Sequence, residues 1–291
     1  MDFATGLKFF IPLVYSIFLI FLYLITFYVI IRDWKKEKTS FFMMYIFEGI
    51  MNICTYFMVL YSKKLNTVIS DASPLAFLYR DMGDYHMAYV QYVNTALIST
   101  NRWSVLQFLQ RGEPFWKKFG IPIMVLAFVL PVIDTHRFFL AQTEIVYDAE
   151  SETYSFEEPM PLKESFKFLI PTMIWLSVYS IGINLGSRMT LRTLNPHVRS
   201  KASNNFIVIT LITSCTQAFG CAISIVRVTW PTGQIAKLLA EILPFVSDGL
   251  TLMQPLLLVA LASSIRVKVF AFFKKKNTSA VHVITSRHSE I

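Results

Sequence analysis

Residues Leu238 to Leu261 read LLAEILPFVSDGLTLMQPLLLVAL, and this stretch decides the fold class. Its 24 residues exceed the about 20 that an α-helix needs to cross a bilayer. Two carboxylates lie inside it, and each costs at least about 2.5 kcal/mol at the centre of a membrane helix. Glu241, Asp248 and Pro255 recur every seven residues, so they share one helix face. That face cannot contact lipid, and the stretch therefore predicts a membrane helix packed inside a bundle.

The composition of the whole chain is that of an integral membrane protein. Of 291 residues, 54% are hydrophobic and 16% are charged, and the mean hydropathy is +0.50. The net charge of +8 lies in short clusters between apolar runs, which is typical of loops beside an anionic leaflet rather than of a nucleic-acid-binding protein. The three cysteines lie inside apolar segments and predict neither a disulfide framework nor a zinc site. We therefore expect the lipid bilayer as a partner and no nucleic acid.

Seven apolar runs predict an all-α membrane protein, a seven-transmembrane helix bundle. The runs cover about residues 9–31, 41–61, 85–105, 116–133, 166–185, 206–226 and 238–261. An acidic connection follows the fourth run, and its TEIVY and TYSF pieces are suited to pair as a β-hairpin across Asp148 to Glu152. After the seventh run, residues 264–276 combine apolar positions at helical spacing with basic residues. They predict a short amphipathic helix on the inner leaflet.

The distribution of charge predicts that the amino terminus lies outside. The first run lacks a small-residue cleavage site and ends against a basic cluster, as an uncleaved signal anchor does. With this orientation, 18 of the 27 basic residues fall in inner segments and 12 of the 19 acidic residues in outer ones. Residues 1–8 are then a short extracellular amino terminus and 262–291 a cytoplasmic tail. The N-x-[ST] acceptor Asn277 lies in that tail and should carry no glycan.

Signatures of enzymes are absent from the sequence. The five histidines are scattered, so no metal-binding cluster is visible, and there is neither a G-x-S-x-G elbow nor a glycine-rich phosphate loop. A retinal pigment would need a lysine in the seventh run, which contains none. We therefore predict no catalytic residue, no metal and no cofactor.

Polar side chains inside the apolar runs are the candidate functional residues, because intramembrane polar groups are costly. We expect one set to change partners between two packings of the helices: Glu48, Asn52, Asn94, Asn101, Arg102 and Asp248. A second set is predicted to contact a ligand: Tyr85, Tyr89, Gln91, Tyr92, Gln217 and Glu241. Glu241 is near the outer end of the seventh run, whereas Asp248 is roughly 15 Å deep, near the midplane. The alternative is that these residues only join helices, at about 0.6 kcal/mol for each hydrogen bond.

Three stretches together resemble a known receptor family. They are IPLVYSIFLIFLYLITFYVIIRDWKKEKTSFF (Ile11 to Phe42), ALISTNRWSVL (Ala96 to Leu106) and LPFVSDGLTLMQPLLLVALASSIR (Leu243 to Arg266). The chain resembles the nematode serpentine chemoreceptors of the Srg superfamily, class gamma or the related class v, over nearly its full length. The resemblance implies a seven-helix receptor of sensory-neuron plasma membranes that signals through a heterotrimeric G protein.

The resemblance also implies roles for individual residues. Asn101 and Arg102 take the place of the acidic-arginine pair of rhodopsin-like receptors, and Pro255 takes that of their helix-seven proline, so Pro255 joins the residues expected to switch. We expect a chemosensory receptor for an unknown small molecule or peptide. The rival hypotheses are a seven-helix transporter that uses the buried carboxylates for ion coupling, and a structural or assembly protein of the membrane.

Overall fold

The structure, a computed structural model, describes residues 3–34, 39–63, 85–108, 111–140, 144–148, 153–157, 162–193, 201–230 and 234–273. Its elements are, in chain order, α1 (Phe3–Arg32), α2 (Ser40–Lys63), α3 (Met87–Gln107), α4 (Gly112–Val129), α5 (Val132–Leu140), β1 (Glu144–Asp148), β2 (Thr153–Glu157), α6 (Leu162–Ser165), α7 (Leu169–Thr193), α8 (Lys201–Thr229), α9 (Gln234–Leu261) and α10 (Ser263–Phe273). The long helices of this described part form one bundle, and each of the seven apolar runs lies mainly on one of them.

The helices extend past several predicted run ends. Residues 3–8, predicted as a segment preceding the first span, belong to α1. Helix α4 begins at Gly112, before the predicted fourth run, and Pro114 is tolerated there because it lies in the first helical turn, where a missing N–H costs no hydrogen bond. Pro131 separates α4 from α5, since a proline in mid-helix lacks the amide donor and its ring clashes with the preceding turn.

Helix α3 occupies the centre of the bundle, because it packs against α2, α4, α7 and α8. By length and composition, the described residues contain five candidate membrane spans, which lie on α1, α2, α4 continued into α5, α7 and α8, and α9 with α10 forms a sixth, bent candidate. Helix α3 is not among them, because its polar residues lower its hydropathy. Ten of its residues are buried, and many of these are polar. A helix surrounded by other helices does not need an apolar surface toward lipid, so hydropathy alone misses it.

Large apolar side chains cover the outer surface of the bundle. Along α1, the exposed fractions of Val14, Ile17 and Phe18 are 66%, 60% and 58%. On α7, Trp175 and Val178 are 64% and 67% exposed. Such a continuous apolar surface is unfavourable in water and suits contact with lipid tails. The chain is therefore a multi-pass membrane protein.

The predicted hairpin in the acidic connection is confirmed. Strands β1 and β2 pair antiparallel, with Ile145 opposite Phe156 and Tyr147 opposite Tyr154. Both pieces are rich in aromatic and β-branched residues, which have a high propensity for strands, and this composition is the signal that predicted the pair.

Helix α10 turns away from α9 by 95°. Lys268 Nζ lies 3.1 Å from Asp33 Oδ2, and the ring of Phe272 packs 5.4 Å from that of Tyr28, so α10 rests on the end of α1. The hydrogen bond from Arg32 lowers the pKa of the Asp33 carboxyl most, and the hydrogen bond from Lys268 lowers it further below its usual range. Residues 264–273 of the predicted amphipathic helix lie in α10, while 274–276 and Asn277 lie outside the described residues. Its place on the inner leaflet stays a prediction.

Candidate functional site: a buried polar network

Four helices share a chain of buried polar contacts. Asn52 Nδ2 on α2 donates to Tyr23 Oη on α1 at 3.4 Å, and Gln91 Nε2 on α3 donates to Asn52 Oδ1 at 3.4 Å. The Gln217 side chain on α8 enters the same chain, because its Nε2 donates to the carbonyl of Gln91 at 3.0 Å and to Thr95 Oγ1 at 2.8 Å. The predicted residues Asn52, Gln91 and Gln217 are therefore brought together, and their hydrogen bonds join helices.

Glu48 lies at one end of this chain. It is only 4% exposed, and the Thr95 hydroxyl donates to its Oε1 at 3.4 Å. Thr95 thus accepts from Gln217 and donates to Glu48, which couples α2, α3 and α8 through one hydroxyl. Buried polar chains of this kind stabilise one packing when every member is paired, and they favour another packing when partners change.

The network continues into α9 because of Pro255. A proline has no N–H, so the carbonyl four residues earlier, that of Thr251, loses its helical partner. The hydroxyl of Tyr23 donates to that carbonyl at 3.0 Å. Tyr23 also accepts from Asn52, so the proline of α9 is connected through α1 to the polar centre.

The predicted ligand-contact tyrosines lie at or near the amino-terminal end of α3, and all three are buried. Tyr85 packs edge-on against Phe166, with ring centroids 5.4 Å apart. Tyr89 donates to Asp134 Oδ2 on α5 at 2.5 Å, and Tyr92 donates to the carbonyl of Gln217 at 2.7 Å. With Ala96, these tyrosines belong to one core cluster against α7. A group that replaced the Asp134 contact would act directly on α3.

A second polar group lies at the opposite, carboxy-terminal end of α3. Asn101 Nδ2 donates to Ser40 Oγ at 2.8 Å, and Ser40 sits at the start of α2. The backbone N and the Oγ of Ser40 donate to the Glu113 carboxylate of α4 at 2.6 and 2.7 Å. A carboxylate at a helix amino terminus accepts hydrogen bonds from free N–H groups, and its negative charge is attracted by the positive end of the helix dipole. Asn101 therefore joins α3 to both α2 and α4.

Arg102 is enclosed by aromatic rings at this carboxy-terminal end. Its Cζ lies 4.1 Å from the ring centroid of Phe41 on α2 and 5.4 Å from that of Phe206 on α8. The Nε and Nη2 atoms are buried and have no hydrogen-bond partner among the described residues. A guanidinium held mainly by cation–π contacts depends on both rings, so its position reports the separation of α2 from α8.

Comparison with known proteins decides the family. The model of the Srg family chemoreceptors matches residues 9–269, which include every residue of the network. The chain belongs to the Srg chemoreceptor family. It is 21% identical over 275 residues to serpentine receptor class gamma-31 of Caenorhabditis elegans, covering 87% of this chain and 88% of the relative. It is 21% identical over 192 residues to class gamma-10 of the same organism, covering 64% and 57%.

Three further predicted residues of this Srg family member are Asp248, Asn94 and Glu241. The Tyr15 hydroxyl of α1 donates to Asp248 Oδ2 of α9. Asn94 is 1% exposed, and neither of its amide atoms has a hydrogen-bond partner among the described residues. The side chain of Glu241 lies outside the described residues.

Sequence reasoning does not single out Asn184, which is the best-connected amide of the described bundle. Its Nδ2 donates to Ser99 Oγ at 2.9 Å and to Ser214 Oγ at 3.1 Å, and its Oδ1 accepts from Thr210 Oγ1 at 2.7 Å. It thereby joins α3, α7 and α8. A signal was present, since the small polar residues of α7 recur on one helix face: Ser177, Ser180, Asn184 and Ser187.

Among the residues that the structure describes, no three His, Cys, Asp or Glu side chains are grouped as transition-metal ligands. The polar groups instead join helices to one another. Such an arrangement can transmit a change of packing between the two ends of a bundle.

Proposed function

We propose that this serpentine chemoreceptor binds an external chemical ligand near the outer ends of α3, α7, α8 and α9 and signals through a heterotrimeric G protein. The observation that carries the proposal is the run of polar contacts along α3. It extends from Tyr89 at one end, through Gln91 and Thr95, to Asn101 and Arg102 at the other. A central helix with neighbours on every side can respond to a ligand at one end and alter contacts at the other.

The outer end offers groups suited to a small organic or peptide ligand. Aromatic rings give apolar contact area, and the hydroxyl of Tyr89 and the carboxylate of Asp134 offer a donor and an acceptor. A ligand that inserts here competes for the Tyr89 to Asp134 hydrogen bond. It therefore favours a different position of α3 relative to α5.

The inner end supplies the response. In the described packing, Phe41 and Phe206 enclose Arg102. Separation of α2 from α8 would free the guanidinium to meet an acceptor on a G protein. The basic inner loops, with the amino terminus outside, would supply the complementary surface, and the plasma membrane of sensory neurons is the proposed location.

The test is ligand-dependent G-protein activation in a host cell that carries the receptor. Arg102→Gln should abolish the response at unchanged surface expression, because glutamine retains polarity but not the charge. Lys167→Gln is the matched control, since Lys167 is exposed near the start of α7, at the other end of the bundle from Arg102, and should remain active. Equal responses of the two variants would contradict the role of Arg102. Accumulation of the ligand inside receptor-bearing vesicles, without G-protein activation, would establish the transporter alternative.

A further inference from the structure

His86, which immediately precedes α3, packs against the break between α4 and α5. It is buried, and its ring lies edge-on to that of Phe128 on α4, with the ring centroids 5.0 Å apart. Its Nδ1 lies 3.0 Å from Thr135 Oγ1 on α5. The backbone carbonyl of Phe128 accepts a further hydrogen bond from the ring. The imidazole therefore joins the start of α3 to both sides of the break.

The Thr135 hydroxyl allows the His86 ring to gain a proton without losing a hydrogen bond. A neutral imidazole can accept at Nδ1, and the hydroxyl then donates to it. A protonated imidazole carries a hydrogen on both nitrogens, so Nδ1 must donate to Thr135 Oγ1. The hydroxyl is then free to donate to the carbonyl of Pro131, which lies 3.0 Å from Oγ1. Both protonation states are thus compatible with the same hydrogen-bond partners.

A second contact between α3 and α5 lies beside this one. Tyr89 follows His86 by three residues, which is about one helical turn, and Asp134 immediately precedes Thr135. The Tyr89 hydroxyl donates to Asp134 Oδ2 at 2.5 Å. A positive charge on the His86 ring attracts the Asp134 carboxylate and competes with Tyr89 for it. Protonation of the ring would therefore alter how α5 is held against α3.

The described segments around the ring carry a small set of other charged or titratable side chains. They are Tyr85 and Tyr89 beside it on the α3 side, Asp134 and His136 on α5, and Glu164 and Lys167 near the start of α7. Lys167 pairs with Glu164 at 3.8 Å. The charged residues of α4 lie at its opposite end, away from Phe128.

We propose that this receptor also responds to acid and that His86 is the residue that binds the proton. Histidine is the side chain whose ordinary pKa, about 6.5, gives a change of charge between about pH 5 and 8. His86 contacts two neighbouring helices, whereas His136 is exposed and its Nδ1 contacts carbonyls of its own helix. A proton on His86 favours a packing in which the Asp134 carboxylate leaves Tyr89 for the ring.

This inference goes beyond the proposed receptor function, because protonation and the change of packing need neither an organic ligand nor a G protein. A receptor without signalling activity could still bind the proton at His86. Conversely, a signalling receptor could have a His86 ring that never changes its charge.

The experiment follows the full-length protein in detergent between pH 8 and 5 by two signals. The first is the ring resonance of each histidine in ¹³C-labelled protein, with that of His86 assigned by its loss in His86→Gln. The second is the distance between spin labels at exposed positions of α5 and α7, Ile133 and Val178. We expect the His86 resonance to titrate between about pH 5 and 7.5 and the distance to change by about 1–2 Å with the same midpoint.

His86→Gln retains polar hydrogen-bonding groups but cannot become charged, so it should remove the change of distance. Asp134→Asn should retain the titration of His86 and also lose the change of distance, because a neutral amide is not attracted by the charged ring as a carboxylate is. His136→Gln is the matched control, since it removes an exposed histidine two residues after Asp134, and it should retain both signals.

Three results would overturn the proposal. The first is a His86 resonance that does not titrate between pH 5 and 8. The second is a label distance that stays constant while the ring titrates. The third is a pH-dependent distance that persists in His86→Gln or in Asp134→Asn, since the change would then arise from other groups.

Discussion

Replacing Phe41 by leucine should raise signalling in the absence of ligand. The ring of Phe41 contacts the Arg102 guanidinium at 4.1 Å and the Phe206 ring at 4.4 Å between centroids. Leucine retains most of the buried apolar area and removes the π face. The variant therefore tests the ring contacts that keep α2 close to α8, with little change in burial.

The size of the effect follows from those two contacts. A desolvated cation–π contact contributes about 1–2 kcal/mol, and an aromatic pair about 0.5–1.5 kcal/mol beyond its burial. Their loss destabilises the enclosed packing by about 2–3 kcal/mol. At 1.4 kcal/mol for each factor of ten, the open packing gains about 30-fold or more. An open population of about 1% would then rise to about a quarter.

The assay is nucleotide exchange by a G protein in membranes that contain equal amounts of each receptor variant, without ligand. Paired spin labels near the amino-terminal ends of α2 and α8 would report their separation independently of the G protein. Phe57→Leu is the matched control, because Phe57 lies on the same helix, is 52% exposed and contacts Tyr56 rather than an arginine.

A basal exchange rate and a label distance for Phe41→Leu equal to those of the wild type would refute this reasoning. Equal increases for Phe41→Leu and Phe57→Leu would refute it as well, because the effect would then reflect loss of aromatic volume anywhere on α2. A larger separation without faster exchange would retain the role of the rings and contradict the coupling to a G protein.

Two other predictions concern stability. Asn184→Leu removes three interhelical hydrogen bonds and should lower the free energy of unfolding by about 2 kcal/mol, measured by denaturant titration in detergent. The control is Ser177→Ala, which removes a buried hydroxyl that has no hydrogen-bond partner among the described residues. It should change the free energy of unfolding by less than about 0.5 kcal/mol. Because the pKa of Asp33 is lowered, its ion pairs stabilise the docking of α10 above the unfolded-state pKa of about 3.9 and are lost as pH falls through the lower folded value. Asp33→Asn should speed amide hydrogen exchange in α10 at neutral pH, and Lys268→Gln should match it.

The sequence by itself determined the class of structure and the family. Runs of about 20 apolar residues have few alternatives to membrane helices, because backbone polar groups must be paired within the lipid. Local pairing chemistry likewise predicts the hairpin between β1 and β2. The motifs around Arg102 and Asp248 suffice for the Srg resemblance, since family membership depends on residue patterns rather than on contacts.

Only the tertiary structure decided which polar residues meet. Sequence periodicity gives the face of a helix but neither its rotation nor its depth against neighbours, so it could not place Asp248 beside Tyr15 or Glu113 against Ser40. It also could not identify Tyr23 as the donor to the carbonyl that Pro255 leaves free. Each of these contacts joins residues far apart in the chain. Their positions depend on how all the helices pack together, which no single stretch encodes.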